Sequence, residues 1–563
     1  MKGAIRTIWL TRPDLRALCG NDPAEFEYWL ILHGRREYKG LAESDFTAHR
    51  EAAASGLTRL QDHVWNSRPD LQALFDIGTA EGRQGFIWWY FIHGIVELDL
   101  IGFVTEAQRN FLAEPDPGIV QDASLPITRL MMEVWRRDPA LQERYRLYTQ
   151  PGRVSFPSWF IAEGGVAMGF GALFEELAGP PLITAPAMSA PRTELPFGVN
   201  LIGYIRGEFG IGEDARMAVR SLDAAGIPVS LHNIEPGPGI SQRDSGLEDR
   251  FSMALPYAIN LFCMTGADLA CLAAKDGNAL FEGRRNIGFW PWELPRWPAE
   301  WQHAFDLVDE VWASSRYTYN AFAESCPKPV RHLPMAVMTD ETDGLGRRDF
   351  GLPEDRFLFV FSFDTVSSVT RKNPLACLRA FRRAFPVGTE PVGLVVKAMR
   401  APPDAPEWRE VREEAGADPR ISLIETTLKR SAVLDLYRAC DCFLSLHRAE
   451  GFGRGIAEAM MLGKPVIVTG YSGNLDFTTP GAAALVGYRP RSLVEGDYPS
   501  GEGQVWAEPD VEHAAWWMRR IAADRDLRER LSRQGRMTVS ETYAPGTVGR
   551  EYTARLGALL PER

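Results

Sequence analysis

The stretch Glu450-Gly-Phe-Gly-Arg-Gly-Ile-Ala-Glu458 constrains the fold of this chain more than any other. Upstream, Cys442-Phe-Leu-Ser-Leu446 has the short apolar pattern of a buried strand. Downstream, Arg454 to Leu462 has helical spacing, Gly463 supplies a C-terminal stop, and Pro465-Val-Ile-Val468 reads as the next strand. The segment is therefore a strand–loop–helix–strand unit with glycines at the helix entrance. Such an entrance aims free backbone N–H groups and the positive helix end at an anion, commonly a phosphate. The two carboxylates, eight positions apart, are acceptor-only groups suited to the hydroxyls of a ribose or hexose. Phosphate donors beside hydroxyl acceptors complement a nucleotide-sugar.

Glu-x7-Glu with Gly-Phe-Gly after the first Glu resembles the donor-site signature of the group 1 (family 4) retaining glycosyltransferases. The resemblance implies a GT-B fold, an α/β protein with two Rossmann-like domains facing a cleft. It implies that Glu450 meets the donor sugar and Glu458 the ribose, with Gly451, Phe452 and Gly453 lining the donor site. Arg371-Lys-Asn-Pro374 stands between a strand and a helix, where family members commonly place a Lys against the donor diphosphate. A cation there stabilises charge developing on the leaving nucleotide. The family's usual Arg, five positions before that Lys, falls on Ser367, and Arg371 is the candidate substitute. The resemblance implies no cofactor and no metal.

Length and composition limit the alternatives. A chain of 563 residues exceeds one hydrophobic core. Its net charge of −12 and lack of a long basic run argue against a nucleic-acid partner. Seven scattered cysteines without C-x-x-C fit reduced thiols in a cytoplasm. No apolar run reaches the ~18–20 residues that span a bilayer, so the expected location is cytoplasmic, compatible with peripheral contact at the inner membrane face. H-E-x-x-H, P-loop and G-x-S-x-G motifs are absent.

Residues 1–178 carry an internal repeat. Trp9-Leu-Thr-Arg-Pro-Asp-Leu15 is echoed by Trp65-Asn-Ser-Arg-Pro-Asp-Leu71 and more loosely by Trp135-Arg-Arg-Asp-Pro-Ala-Leu141. Each copy is followed by Trp29-x3-His33-Gly34, Trp89-x3-His93-Gly94 or Trp159-x3-Glu163-Gly164. Each unit is expected to be a pair of short helices, giving an all-α accessory domain. His33 and His93 are better explained by packing than as metal ligands, because the third copy has Glu163. A Pro-rich linker is expected at 179–196. An N-terminal, acceptor-side Rossmann-like domain is expected at 197–340 and a C-terminal, nucleotide-sugar domain at 341–545. A C-terminal tail would follow at 546–563.

Further candidates lie near the expected cleft. Gly207-Glu-Phe-Gly-Ile-Gly212 follows the first strand of the first block. Its Gly210 and Gly212 either admit a donor phosphate or merely form a tight turn. His447 and Arg448, at a strand's carboxyl end, either touch phosphate or buttress the loop. Trp292 and Glu293 lie in a segment with four tryptophans in twelve residues. They either meet an acceptor sugar or belong to a packing element.

The reading is a retaining hexosyltransferase that moves sugar from a GDP- or UDP-linked donor to a saccharide, lipid-linked or protein acceptor, in bacterial surface polysaccharide or glycoconjugate assembly. Glu450, Lys372 and Arg371 are its catalytic candidates, and residues 1–178 are its candidate homo-oligomer surface. The competing class is a non-catalytic carbohydrate-binding or scaffold protein on a degenerate GT-B body.

Overall fold

The computed structural model describes residues 3–121, 125–170, 173, 195–236, 240–401 and 405–559. The chain divides into two compact units. One holds residues 1–193 with 271–278, and the other holds 194–270 with 279–563. The linker expected at 179–196 lies outside the described residues except for its last two positions.

The first unit is helical and repeats three times. Each copy contains three helices rather than the expected pair: Gly3–Thr11, Pro13–Leu18 and Pro23–Leu32; then Arg59–Asn66, Pro69–Leu74 and Ala80–Trp89; then Arg129–Arg137, Pro139–Arg144 and Gln150–Trp159. The extra break follows from the repeated proline, which lacks an N–H and therefore opens a new helix at its first turn. The echoed tryptophans do the same work in each place. Trp65 Nε1 donates to the Phe75 carbonyl at 3.0 Å, and Trp135 Nε1 to the Tyr145 carbonyl at 2.8 Å. Phe26–Trp29, Phe86–Trp89 and Phe156–Trp159 stack with centroids 6.4, 5.9 and 6.2 Å apart. Arg12 bridges Asp14 and Glu37, as Arg68 bridges Asp70 and Glu97. Among the described residues no group of three or more His, Cys, Asp or Glu is placed to hold a metal ion, His33 and His93 included.

The second unit contains two parallel sheets of six strands each. The first comprises β1 (Val199–Gly203), β2 (Val229–Asn233), β3 (Ile259–Cys263), β4 (Arg285–Phe289), β5 (Glu310–Ala313) and β6 (Val330–His332) in the order β2-β1-β3-β4-β5-β6. The second comprises β7 (Phe357–Asp364), β8 (Val392–Met399), β9 (Ile421–Ile424), β10 (Cys442–Ser445), β11 (Val466–Thr469) and β12 (Ala484–Val486) in the order β12-β11-β10-β7-β8-β9. Strands β1, β3, β8 and β11 are almost wholly buried and rich in Val, Ile and Leu, as the inner strands of parallel sheets covered on both faces require. A hairpin, β13 (Tyr488–Ser492) with β14 (Val505–Pro509), pairs antiparallel.

In each sheet one strand has neighbours from opposite winding directions. These strands are β1, between β2 and β3, and β7, between β10 and β8. Ligands in open α/β sheets bind at the carboxyl ends beside such a reversal. The helix Pro545–Gly557 occupies the stretch read from sequence as a tail. It turns Val548, Tyr552 and Leu556 inward, packs the Tyr552 ring tilted against Trp312 with centroids 5.0 Å apart, and ties Arg555 Nε to Glu310 at 2.7 Å. The end of the chain thus closes over the first sheet. Among the described residues no helix is long and apolar enough to cross a membrane.

Candidate functional site

The reversal in the second sheet brings two loops together. The loop after β7 ends in Arg371 and Lys372, and the loop after β10 carries Glu450. Lys372 Nζ lies 2.5 Å from Glu450 Oε1, and Arg371 Nη1 lies 3.2 Å from Oε2. Glu450 is 8% exposed and Arg371 2%. Burial alone would raise the Glu450 pKa, but Lys372 and Arg371 outweigh it and hold the carboxyl at about 2. The same burial lowers the Lys372 amine against the opposing pull of Glu450.

Arg371 is more fully engaged than Lys372. Its Nε and Nη2 donate to the Ser367 carbonyl at 3.2 and 3.0 Å, and Nη1 donates to the Ala449 carbonyl at 2.7 Å. Glu293, from the segment after β4, approaches Nη2 at 3.6 Å and accepts a short hydrogen bond from the Tyr498 hydroxyl. Arg371 therefore fastens both loops, whereas among the described residues the Lys372 amine pairs with Glu450 alone. The Ser367 position, where the family's Arg was looked for, supplies the carbonyl that holds this guanidinium.

The glycine turn after Glu450 is shaped by contacts with the first sheet's half. A Cβ on Gly451 would meet the Trp292 carbonyl at 2.7 Å, and the Gly451 carbonyl accepts from the Ser315 and Thr318 hydroxyls. Gly453 has φ +92°, a left-handed conformation at the cap of the helix Arg454–Met461. Phe452 is a packing residue, with its ring 5.2 Å from Phe477 and 5.4 Å from Tyr543. His447 and Arg448 both have protein partners that brace the loop. His447 is fully buried, with Nδ1 3.1 Å from Ser445 Oγ and Nε2 3.0 Å from Asn474 Oδ1. Arg448 Nε donates to Glu508 on β14 at 2.9 Å, and Nη1 donates to the Thr370 carbonyl. Trp292 is 3% exposed inside a cluster with Trp297 and Trp301, which makes it a packing residue too.

A second charged group forms around the helix Gly210–Ala224, which starts directly after the first glycine loop. Gly210 and Gly212 are part of its first turn. A Cβ on Gly212 would strike the Gly207 carbonyl at 2.2 Å, so this glycine is needed for the close turn. Glu213 binds Arg216 at 2.8 Å and faces Arg430 at 3.3 Å, while Asp214 accepts from Arg454 Nε at 2.9 Å. Burial raises Glu213, but Arg430, Arg216 and Arg454 bring it down to about 2.

Glu458 stands in this group, 2% exposed, with Oε1 2.8 Å from Arg430 Nη1. The contact is close, yet the oxygen receives no aligned N–H. Burial raises the Glu458 pKa. Sequence reasoning found Glu458 but missed Arg430, Asp214 and Glu213, because pairs such as Arg454 and Asp214, 240 positions apart, leave no local pattern.

The depressed Glu450 carboxyl has a pH consequence. A carboxylate whose pKa falls on folding contributes stability above its unfolded pKa and loses it as pH drops through the folded value. Wild type is expected to exceed Glu450→Gln in stability by on the order of 3 kcal/mol at neutral pH. The gap should shrink between pH 4.5 and about 2. Denaturant melts of both proteins across that range check this, and a pH-independent gap would mean that Glu450 is not held ionised by its neighbours.

Residues 412–538 match the family model described as glycosyl transferases group 1. That stretch contains His447, Arg448, Glu450 and Glu458, while Arg371 and Lys372 lie before it. No curated protein sequence matches the chain. Among solved structures the fold is similar to a glycosyltransferase from Rickettsia africae, with TM-score 0.50 and 12% identity over 65% of this chain and 100% of that one. Anabaena HepE in complex with UDP and glucose has TM-score 0.47 and 16% identity over 65% and 100% of the two chains. Sucrose-phosphate synthase from Thermosynechococcus elongatus has TM-score 0.47 and 14% identity over 64% and 99%. At these identities the likeness concerns the fold alone. The chain has the GT-B fold, and its residues 412–538 are similar to the group 1 glycosyl transferases.

Proposed function

We propose that this protein is a retaining glycosyltransferase that moves a hexose from a nucleoside-diphosphate sugar to an acceptor hydroxyl. The observation that carries the reading is the meeting of Lys372, Arg371 and Glu450 at the β7/β10 reversal, where an α/β sheet binds its ligand. Lys372 exchanges its contact with Glu450 for the donor diphosphate. Glu450, held ionised, accepts from sugar hydroxyls and orients the ring. The helix beginning at Gly210 adds its N-terminal field to the diphosphate. Glu458, beside Arg430, accepts from the ribose. No side chain is assigned as nucleophile, and catalysis rests on positioning and on charge stabilisation of the leaving group. The acceptor is a saccharide, lipid-linked or protein hydroxyl, and the helical unit serves acceptor recognition or self-association.

Glu458→Ala is expected to weaken nucleoside-diphosphate binding by about tenfold or more, since a ribose hydroxyl loses a charged acceptor. Calorimetric titration of both proteins checks it, and equal affinities would return Glu458 to a purely structural role. Transfer is expected to persist in EDTA, because Lys372, a helix end and backbone amides meet the diphosphate charge. Activity lost to chelator and restored by Mg or Mn would contradict this.

A further inference from the structure

Lys397 is a buried cation without a counter-ion. It sits two residues before the end of β8, aligned with Ser362 on β7 and Ile424 on β9, and it is 3% exposed. Strand alternation puts it on the face of Val395, opposite Leu394, Val396 and Ala398. The Val395 face packs against the helices Arg430–Ala439 and Arg454–Met461, the second of which carries Glu458.

Among the described residues no hydrogen bond or ion pair reaches the Lys397 amine. The carboxylates at the ends of both flanking strands are taken. Asp364, closing β7, is held by Arg400, and Glu425, just past β9, is held by Arg412 and by Trp408 Nε1 at 2.8 Å. Elsewhere in the site each cation faces carboxylates: Lys372 and Arg371 face Glu450 and Glu293, while Arg430 and Arg454 face Glu458, Glu213 and Asp214. Burial with nothing to offset it lowers the Lys397 amine to about 8. The Lys397 stem is buried, yet its amine is not among the fully enclosed polar atoms that lack a partner, so an unpaired ammonium is held where a ligand can meet it.

The strand order says which part of the ligand. Along β10-β7-β8, the sugar carboxylate Glu450 follows β10, the diphosphate lysine Lys372 follows β7, and Lys397 comes next. With the ribose at Glu458, on a helix that packs against the Val395 face, the base is directed toward the Lys397 side of β8. We propose that Lys397 reads the donor's base, donating to a ring carbonyl oxygen such as uracil O4 or guanine O6. This inference rests on the sugar-transfer reading above. An ammonium has donors only. It accepts a carbonyl and repels the amino group that cytosine or adenine presents instead, as lysine does when it reads guanine over adenine.

The test titrates UDP, GDP, CDP and ADP into the full-length wild type, Lys397→Met and Lys397→Gln. Wild type is expected to prefer UDP or GDP over both amino-bearing nucleotides by roughly 10- to 100-fold. Lys397→Met should lose that preference to within about threefold. Lys397→Gln, whose amide both donates and accepts, should keep more affinity than Met and also lose the preference. A preference unchanged in either variant overturns the inference, as does an equal loss for all four nucleotides, which marks a phosphate contact. If wild type binds none of the four, the donor reading itself falls, and that result is distinct from intact binding with silent Lys397 variants.

Discussion

Lys372→Ala is expected to lower kcat/KM for sugar transfer by about 100-fold or more, with most of the loss in kcat. The ammonium is the cation at the β7/β10 reversal that can change partners, since among the described residues Glu450 is its one hydrogen-bond or ion-pair partner. Its task is to neutralise charge that grows on the diphosphate as the glycosidic bond breaks, so its effect is largest in the transition state. Stability should suffer less, by about 1–3 kcal/mol, because Glu450 keeps Arg371 at 3.2 Å. Steady-state kinetics with a thermal melt separates the two effects. Transfer at wild-type rate in a folded Lys372→Ala protein would remove Lys372 from the mechanism.

Arg371→Met is expected to produce the opposite balance. The guanidinium ties the Ser367 and Ala449 carbonyls, Glu450 and Glu293 into one knot at 2% exposure. Removing it leaves the buried Glu450 carboxylate, the half-buried Glu293 carboxylate and two carbonyls without that donor, and breaking such a network costs about 3–5 kcal/mol. For a domain of this size that corresponds to a melting temperature lower by roughly 10 °C. Differential scanning calorimetry reads it. A change of under about 2 °C would mean that the loops are held by other contacts. The sequence offered Lys372 as the diphosphate cation and Arg371 as the substitute for the family's Arg; the hydrogen bonds divide them into a fastener and a free end.

That division explains what could be read beforehand. The strand Cys442–Ser445, the helix Arg454–Met461 and the strand Val466–Thr469 were legible because apolar runs bounded by glycine carry their own period. Glu450 and Glu458 were legible because both lie within that unit. The repeats were legible as echoes, but their helix number was not, because a helix restarting at proline leaves the apolar spacing almost continuous. The helix Pro545–Gly557 carried a readable signal in Val548, Tyr552 and Leu556, spaced by four. Arg430, Asp214, Tyr498 and Lys397 were silent. Three of them act through partners distant in the chain, and Lys397 looks in sequence like an ordinary residue of an apolar strand.

The most direct measurement incubates wild type and Lys372→Ala with a panel of nucleotide-sugars and follows the anomeric proton by NMR alongside nucleoside-diphosphate release. The account predicts that wild type releases the nucleoside diphosphate from one class of donor. The sugar product should keep the donor's anomeric configuration, and release should fall by about 100-fold or more in Lys372→Ala. Product of inverted configuration, undiminished release by Lys372→Ala, or no release from any donor by a folded wild type would contradict it.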